Sequence, residues 1–166
     1  MDTALTVDLR PAVGSTRALF AAAACSVALL DDAGEGVEFV AADGVGADLI
    51  VGTRLPVSRG IVGWVALTGQ PIAVAEVESD ARFARDVAAA TDYIPRVVLA
   101  APLPGPDGDV LGVMELLDPG RGAGETVLGL QRGTAAELSL LTTLGGCVAE
   151  MVRLSRERGR EGPGPR

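Results

Sequence analysis

Hydrophobic and polar positions follow two different spacings along this chain, and the spacings separate strands from helices. Short apolar runs bounded by Gly, Pro or Asp are typical of strands, whereas apolar residues three and four positions apart indicate helices. We predict an extended segment at Arg54–Pro56 and five strands: Ala24–Asp31, Val37–Ala42, Pro71–Val77, Arg96–Leu103 and Val110–Leu117.

The helical spacing predicts a helix near each end of the chain and two short helices between the strands. Asp8 could cap the first of these helices, with Pro11 in its first turn, and Glu78-Ser79-Asp80 could cap the third. A loop with one helical turn is expected over Gly44–Gly52. The predicted helices are Leu9–Ala22, Ile61–Leu67, Ala81–Thr91 and Glu125–Arg158.

The segment Arg54–Val74 organises the prediction, because it places a short apolar helix between two extended segments. The Ser58 hydroxyl could accept a free backbone N–H of the first helical turn. Gly69 supplies the left-handed residue that commonly ends a helix. We therefore expect the helix to be held tightly between its neighbouring strands.

The last helix carries two apolar stripes, of which one is enough to cover a sheet. The first stripe runs through Leu138, Leu141, Gly145, Val148 and Val152, continuing one that begins at Val127. A second stripe predicts a second partner, most simply the same helix of another copy. Its members are the candidate dimer interface: Leu140, Leu144, Cys147, Met151 and Leu154.

These elements predict one α+β domain over residues 1–158, followed by a disordered tail at 159–166. The turn Pro104-Gly105-Pro106-Asp107-Gly108-Asp109 joins the last two strands as an antiparallel hairpin. The tail has nothing to bury. The fold class is therefore a mostly antiparallel sheet with terminal helices on one face.

Composition changes the picture by excluding several kinds of partner. The chain has 14 basic residues, all of them Arg, against 22 acidic ones, giving a net charge of −8. Such a surface repels nucleic acid and anionic lipid alike. The start of the sequence does not resemble a secretory signal, and no apolar run reaches the ~20 residues of a membrane span. We expect a cytoplasmic protein with no nucleic-acid or membrane partner.

The chain has no His and two cysteines, Cys25 and Cys147, so several chemistries lack their residues. Zinc spacing and a disulfide scaffold both fail, and we expect two buried thiols. Nucleophilic catalysis lacks a His or Lys base. Gly44-Val45-Gly46 lacks the third glycine of a dinucleotide-binding turn, since position 49 is Leu. An enzyme is not expected.

Five phrases in sequence order resemble a GAF domain, and together they span about Phe20 to Val152. They are SVALLDD at Ser26, LPVSRGIVGWVALTGQPIAV at Leu55, SDARF at Ser79, RVVLAAPL at Arg96 and DVLGVMELLDP at Asp109. The resemblance implies a six-stranded antiparallel sheet, terminal helices on one face and a small-molecule pocket on the other. It also implies dimerisation through the terminal helices.

The better-understood subtypes of the family do not match. Chromophore-binding and haem-binding members need a histidine that this chain lacks. Free methionine sulfoxide reductases of this fold use cysteines in the loop over the pocket, whereas Cys25 and Cys147 fall in a strand and a helix. The Asn-Lys-x-x-x-Phe-Asp-Glu pattern of cyclic-nucleotide-binding members needs a Lys. The sequence therefore names no cofactor and no ligand.

The candidate ligand-binding residues are aromatic or polar side chains near the expected pocket, together with one strand residue. Glu115 is the one charge in an apolar strand, pointing either to solvent or into the cavity. For Trp64 and Phe83 core packing is the favoured interpretation, and Arg96 could simply pair with Asp80 or Asp92. The candidates are Trp64, Phe83, Tyr93, Arg96, Leu99 and Glu115.

Three functions from different classes stay open. The first is a sensory domain that binds an unidentified small molecule and signals through a homodimer to a separate output protein. The second is a dimerising or protein-interaction module without a ligand, and the third is a thiol switch or reductase using Cys25 and Cys147. An open cavity beneath Trp64 and Tyr93 favours sensing, and a solid core favours assembly.

Overall fold

A computed structural model describes residues 7–120 and 135–160. Five α-helices and six strands are described. The helices are α1 (Arg10–Leu19), α2 (Ala47–Ile50), α3 (Gly60–Thr68), α4 (Arg85–Ala90) and α5 (Ala135–Arg160). The strands are β1 (Ala24–Leu30), β2 (Gly36–Gly44), β3 (Arg54–Pro56), β4 (Ile72–Ala75), β5 (Val97–Pro104) and β6 (Val110–Leu117).

The six strands form one sheet in the order β3-β2-β1-β6-β5-β4, and every neighbouring pair is antiparallel. β1 and β6 lie at the centre, and the hairpin predicted between β5 and β6 is present. The predicted α+β class with an antiparallel sheet of about six strands is confirmed.

Helices α1 and α5 cover one face of the sheet, which we call the helix face. Its core includes Val13 of α1, Leu99 of β5 and Met114 of β6. The first stripe of α5 lies here, with Leu141, Gly145, Val148 and Val152 all buried. A Cβ atom at Gly145 would lie 3.1 Å from the Pro102 carbonyl oxygen, so a small residue allows the close approach of α5 to β5.

The opposite face of the sheet is covered by α3 and the segments around it. A second core, which we call the α3 core, lies on this face and includes Val113 of β6. Four residues of α3 are buried in it: Ile61, Val62, Val65 and Ala66. Strand alternation divides β6 between the two cores, with Met114 and Leu116 on the helix face and Val113 on this one. The sheet therefore separates α5 from α3.

A β-bulge in β2 changes which side chains reach each face. Val27 of β1 pairs with Ala41, whereas the next residue, Ala28, pairs with Phe39, so Val40 is the extra residue. As a result Phe39 packs in the α3 core and Ala41 packs on the helix face, although simple alternation would place both together. The bulge turns Ala42 back towards the α3 side.

Two of the predicted helix boundaries are wrong for local reasons. Gly69 ends α3 with a φ of 65°, as predicted, but Arg59 and not Ser58 is the N-cap, and it makes no side-chain cap hydrogen bond. The predicted Ala81–Thr91 helix is reduced to α4. Asp80 accepts a hydrogen bond from the Arg82 backbone N–H, 2.9 Å away, which forms a turn in place of a cap.

The two chain ends differ from prediction by a few residues. The first helix ends at Leu19, and Ala21 has a φ of 47°, which breaks the predicted continuation to Ala22. α5 reaches Arg160, two residues beyond its predicted end. The predicted helix start at Glu125 and the tail from residue 161 lie outside the described residues.

Among the described residues α5 is the one helix long and apolar enough to cross a membrane by length and composition. Its first stripe packs on the sheet, as the core helices of globular domains do. This single helix is therefore weak support for a membrane span, and none is assigned.

Candidate functional site

A cavity of about 90 Å³ lies between the sheet and the segments on its α3 side. We call it the sheet cavity. Strands β1, β2, β5 and β6 form its floor, and α2, α3, α4 and the loop before β5 form its walls. Ligand sites in proteins are commonly concave, mostly apolar hollows with a few polar groups, and this cavity has that character.

The floor is hollow because a row of small residues crosses four strands. Ser26 pairs with Ala42 on one side and Glu115 on the other, and Glu115 pairs in turn with Ala100. We call these four residues the floor row. Ser26 and Ala42 carry only one or two side-chain heavy atoms, so they leave unfilled volume above the sheet beside the longer Glu115. Ala100 is fully buried in the α3 core and does not line the cavity. The bulge at Val40 is what brings Ala42 into the row.

Glu115 is the charged residue in the cavity floor. It is half-buried, and no group in residues 7–120 or 135–160 donates a hydrogen bond to its carboxylate or forms an ion pair with it. Burial raises the pKa of Glu115 from 4.5 to about 7. A carboxyl group without a partner is costly to bury, so it is a strong candidate for contact with a ligand or water.

Ser26 and Cys25 are the neighbouring polar side chains on β1. Ser26 is buried, and within the described ranges its hydroxyl has no hydrogen-bond partner. Cys25 is fully buried and belongs to the core of the helix face. Burial is the main cause that raises the pKa of the Cys25 thiol to about 12, and the nearby carboxylates of Glu115 and Asp43 raise it further. Its thiol is therefore protonated at neutral pH, which disfavours it as a nucleophile.

The loop between α4 and β5 closes one wall of the cavity through Tyr93. The Tyr93 hydroxyl donates a hydrogen bond to the Asp118 carboxylate. Asp118 also accepts the backbone N–H groups of Arg96 and Val97, at 2.9 and 2.8 Å. Asp118 thus ties the loop to the start of β5, and the Tyr93 ring is held against the cavity.

Another part of the wall is formed where α2 meets the end of α4. Gly46 has a φ of 74°, and a Cβ atom there would lie 2.9 Å from the Thr91 Cβ. The missing side chain lets the two segments close over the cavity. Thr91 donates its hydroxyl to the Ala88 carbonyl oxygen, 2.8 Å away.

The family model named GAF domain matches residues 5–150 of the chain. This match covers most of the 166 residues. The chain belongs to the GAF domain family. GAF domains are commonly regulatory or sensory.

Relatives with a recorded activity match this GAF domain over part of its length. The cGMP-specific 3',5'-cyclic phosphodiesterase of Drosophila mojavensis is 34% identical over 71 residues, which are 43% of this chain and 6% of that protein. The chain thus spans a small fraction of the curated relatives that it matches.

Solved GAF structures share the fold over nearly the whole chain. The GAF-B domain of DevS from Mycobacterium smegmatis has a TM-score of 0.69 at 19% identity, covering 93% of this chain and 96% of that one. The free methionine-R-sulfoxide reductase of Neisseria meningitidis has a TM-score of 0.64 at 19% identity, covering 93% and 83%. At this identity the likeness extends to the fold alone.

Three of the six candidate ligand residues line the sheet cavity of this GAF domain, namely Phe83, Tyr93 and Glu115. Glu115 points into the cavity, the second of the two orientations that the sequence left open. Its position follows from the alternation of β6, because Val113 and Leu117 on the same face belong to the α3 core.

The other three candidates lie elsewhere, so the cavity lies beneath Tyr93 but not beneath Trp64. Trp64 lines a separate surface groove, with the Arg82 guanidinium 4.8 Å from its ring centre. Arg96 is exposed and its Nε lies 2.6 Å from Glu76 Oε1, not beside Asp80 or Asp92. Leu99 is buried on the helix face, because odd-numbered residues of β5 point away from the cavity.

Sequence reasoning missed Ser26, Ala42 and Thr91 as cavity residues. Ser26 was detectable in principle, because it is the single hydroxyl within an otherwise apolar strand. Ala42 was not, because its orientation depends on the bulge at Val40. Thr91 enters through the close contact with Gly46, which joins segments 45 residues apart and leaves no local signal.

The second stripe of α5 runs beside the first and is only partly covered by the helix-face core. Leu140, Leu144 and Met151 are half-buried at the edge of the helix-face core, and Leu154 is exposed. Cys147 is exposed, so the prediction that both thiols are buried is wrong for it. It lies in the second stripe, on the side of α5 opposite the residues that cover the sheet.

Proposed function

We propose that this GAF domain binds a small molecule in the sheet cavity and signals to a separate partner protein through a homodimer formed by α5. The observation that carries the proposal is a partly open cavity whose floor contains Glu115 and Ser26, two polar side chains without partners among the described residues. Phe83, Tyr93 and Glu115 are its proposed ligand contacts.

The volume of the sheet cavity limits the size of the ligand. An engineered cavity of about 150 Å³ holds benzene, so about 90 Å³ accommodates a smaller molecule. A nucleotide needs several times this space. The family relationship to cyclic-nucleotide phosphodiesterases therefore does not extend to a cyclic-nucleotide ligand in our proposal.

The proposed dimer uses the second stripe of α5, namely Leu140, Leu144, Cys147, Met151 and Leu154. These residues alternate in steps of four and three along the helix, as in the seam of a coiled coil. The part of this stripe that the helix-face core leaves uncovered is favourable to bury against another copy. Symmetric homodimers are the most common protein assemblies.

The sheet offers a direct route between ligand and dimer. Glu115 of β6 lies on the cavity floor, while its neighbours Met114 and Leu116 lie in the helix-face core that α5 covers. A ligand that changes the position of β6 would favour one packing of α5 over another. Such differential packing is what coupling between two sites requires.

Native mass spectrometry with a pair of matched variants tests the binding proposal. Ala88 lines the cavity, whereas Ala90 lies on the same short helix, is exposed and does not line it. We expect a bound small molecule, from the expression host or from a metabolite library, on the wild type and Ala90→Leu. Ala88→Leu fills the cavity and should lose it.

A protein that binds no molecule in either screen would contradict ligand sensing. The same result would favour the second candidate function, a dimerising module whose cavity holds only water. The modest cavity volume is the observation that favours this alternative. The third candidate, a thiol switch or reductase, has little support, because Cys25 is buried with a raised thiol pKa, whereas Cys147 is exposed on the outer surface of α5.

A further inference from the structure

We propose that the sheet cavity selects a small aliphatic ammonium ion, whose N–H groups donate to the Glu115 carboxylate and the Ser26 hydroxyl. This inference rests on the proposed function, because it assigns a chemical class to the ligand of that same cavity. It concerns the charge of the ligand, which the fold and the family leave open.

The first support is that the two neighbouring polar groups in the floor row can both accept hydrogen bonds. Ser26 and Glu115 lie directly opposite each other on β1 and β6, and both are without partners in the part of the chain that the structure describes. An ammonium group carries three donors and no acceptor, so it can satisfy both oxygens at once. Hydrogen bonds between ionised partners are also about twice as strong as neutral ones.

The second support is that the cavity offers no positive charge to an anion. Among residues 7–120 and 135–160, none of those that line the cavity is an arginine. All seven arginines of residues 7–120 form ion pairs with carboxylates away from the cavity floor. Phosphates and carboxylates would meet the unpaired Glu115, and the net charge of −8 would disfavour their approach further.

The third support is the apolar nature of the remaining wall. Phe39, Ile61, Val62, Phe83, Val87 and Leu117 supply aliphatic and aromatic surface around the polar floor. A ligand with one charged end and a branched hydrocarbon body of about four carbons matches this division and the volume of about 90 Å³. Isobutylammonium is such a molecule.

Ammonium binding should be coupled to the ionisation of Glu115. The other titratable side chains that line the cavity are Cys25, a neutral thiol, and Tyr93, whose hydroxyl donates to Asp118. Charged groups on the surrounding segments face outward: Asp48 and Asp92 are exposed, Asp118 accepts hydrogen bonds from Tyr93 and two backbone N–H groups, and ion pairs hold those of β2, β3, the α3 N-cap and α4. These pairs are Glu38–Arg54, Asp43–Arg17, Asp86–Arg59 and Arg85–Glu78.

Three probes of nearly equal shape test the inference: isobutylammonium, isobutanol and isobutyrate. Each is titrated into the purified full chain and followed by the amide NMR signals of Ser26, Ala100 and Glu115. We expect isobutylammonium to bind at least about tenfold more tightly than isobutanol, and isobutyrate not to bind. With the free Glu115 pKa near 7, the ammonium affinity should fall about tenfold from pH 8 to pH 6.

Glu115→Gln keeps the shape of the side chain and removes its charge. We expect it to lower the ammonium affinity at least about tenfold, abolish the pH dependence and leave isobutanol binding almost unchanged. Asp48→Asn is the matched control, because it makes the same charge change at an exposed position of α2 that does not line the cavity. It should leave the affinity of every probe unchanged.

The inference would be overturned if isobutanol or isobutyrate bound at least as tightly as isobutylammonium. The proposal that the cavity binds a ligand would still stand in that case. The inference would likewise be overturned if Glu115→Gln bound the ammonium probe like the wild type. The absence of NMR shifts with all three probes would also overturn it. In that case the co-purification experiment with Ala88→Leu still decides the proposed function separately, since a bound neutral or acidic metabolite would support sensing without an ammonium ligand.

Discussion

At the scale of single residues, Glu115 is the side chain with the largest consequence for the domain. It stands in the centre of the sheet, where its two cross-strand neighbours are Ser26 and Ala100 and neither compensates its charge. Natural domains tolerate such a group when it serves a purpose other than stability. The empty domain should therefore be less stable than its fold allows, and the loss should depend on pH.

Glu115→Gln should stabilise the ligand-free domain at pH 8 and have little effect at pH 4.5. The folded pKa of about 7 lies above the ordinary 4.5, so between these values the folded state holds a proton that the unfolded state has lost. The wild type thus loses stability as the pH rises through this window. The full difference is roughly 3 kcal/mol above pH 7, measured by urea denaturation of both proteins.

Asp48→Asn serves as the control for this prediction, because Asp48 is an exposed carboxylate on α2. It should change the free energy of unfolding by less than about 0.5 kcal/mol at either pH. A Glu115→Gln variant that is no more stable than the wild type at pH 8 would show that water or another group compensates the carboxylate in solution.

Sequence reasoning identified some of the residues that line the cavity and misplaced others. Glu115 and Tyr93 could be selected because a charge in an apolar strand and an aromatic beside a proline are local signals. Leu99 could not be excluded, because its face depends on the register of β5 against β6. Arg96 and Cys147 depend on surroundings that come from distant parts of the chain.

At the scale of elements, α5 combines two surfaces that its sequence separates clearly. The buried stripe of Leu141, Gly145, Val148 and Val152 packs on the sheet. In the second stripe, Leu140, Leu144 and Met151 pack against the edge of the helix-face core, whereas Cys147 and Leu154 are exposed. The proposed dimer would cover them, and a charge introduced there should prevent assembly.

Leu144→Glu and Met151→Glu should each convert the dimer to a folded monomer. An uncompensated charge in a buried interface costs about 3–5 kcal/mol, so the dissociation constant of the dimer should rise at least about 100-fold. Size-exclusion chromatography with light scattering measures the assembly, and circular dichroism checks the fold. Thr143→Glu, on the same helix but exposed and outside the stripe, should remain dimeric. An unchanged dimer in both stripe variants would contradict the proposed interface.

Element prediction worked where the signal is local and failed where it is not. β6 was predicted with its observed bounds, because Gly and Asp precede a run that is apolar except for Glu115. The start of α4 was misplaced because Asp80, which has the chemistry of a helix cap, instead forms a turn with Arg82. The bulge in β2 left no signal, since Val40 and its neighbours all suit a strand.

At the scale of the whole molecule, the sheet is both the floor of the cavity and the support of α5. The α3 core and the helix-face core share every central strand. This architecture could be predicted because the order of short strands and terminal helices leaves few ways to cover both faces of one sheet. The identity of the ligand could not, because it depends on a small unfilled volume rather than on a motif.

The proposed coupling predicts that the ligand binds dimer and monomer with different affinities. Isobutylammonium binding to the wild type and to Leu144→Glu should differ at least about threefold, because a ligand that favours one packing of α5 must in turn be favoured by it. Isothermal titration calorimetry at protein concentrations where the wild type is dimeric measures both. Equal affinities would contradict signalling through α5 and leave ligand binding and dimerisation intact.

The floor row has a consequence for how such a domain could change its chemistry over time. Of its three small members, Ser26 and Ala42 line the cavity, whereas Ala100 is packed in the α3 core beside Glu115. A single substitution at position 42, adding a methyl or a hydroxyl group, would reshape the cavity without disturbing the strand pairing around it. The same sheet could thus acquire a preference for a different ligand through a change of a few atoms. This is consistent with one fold that serves many unrelated functions.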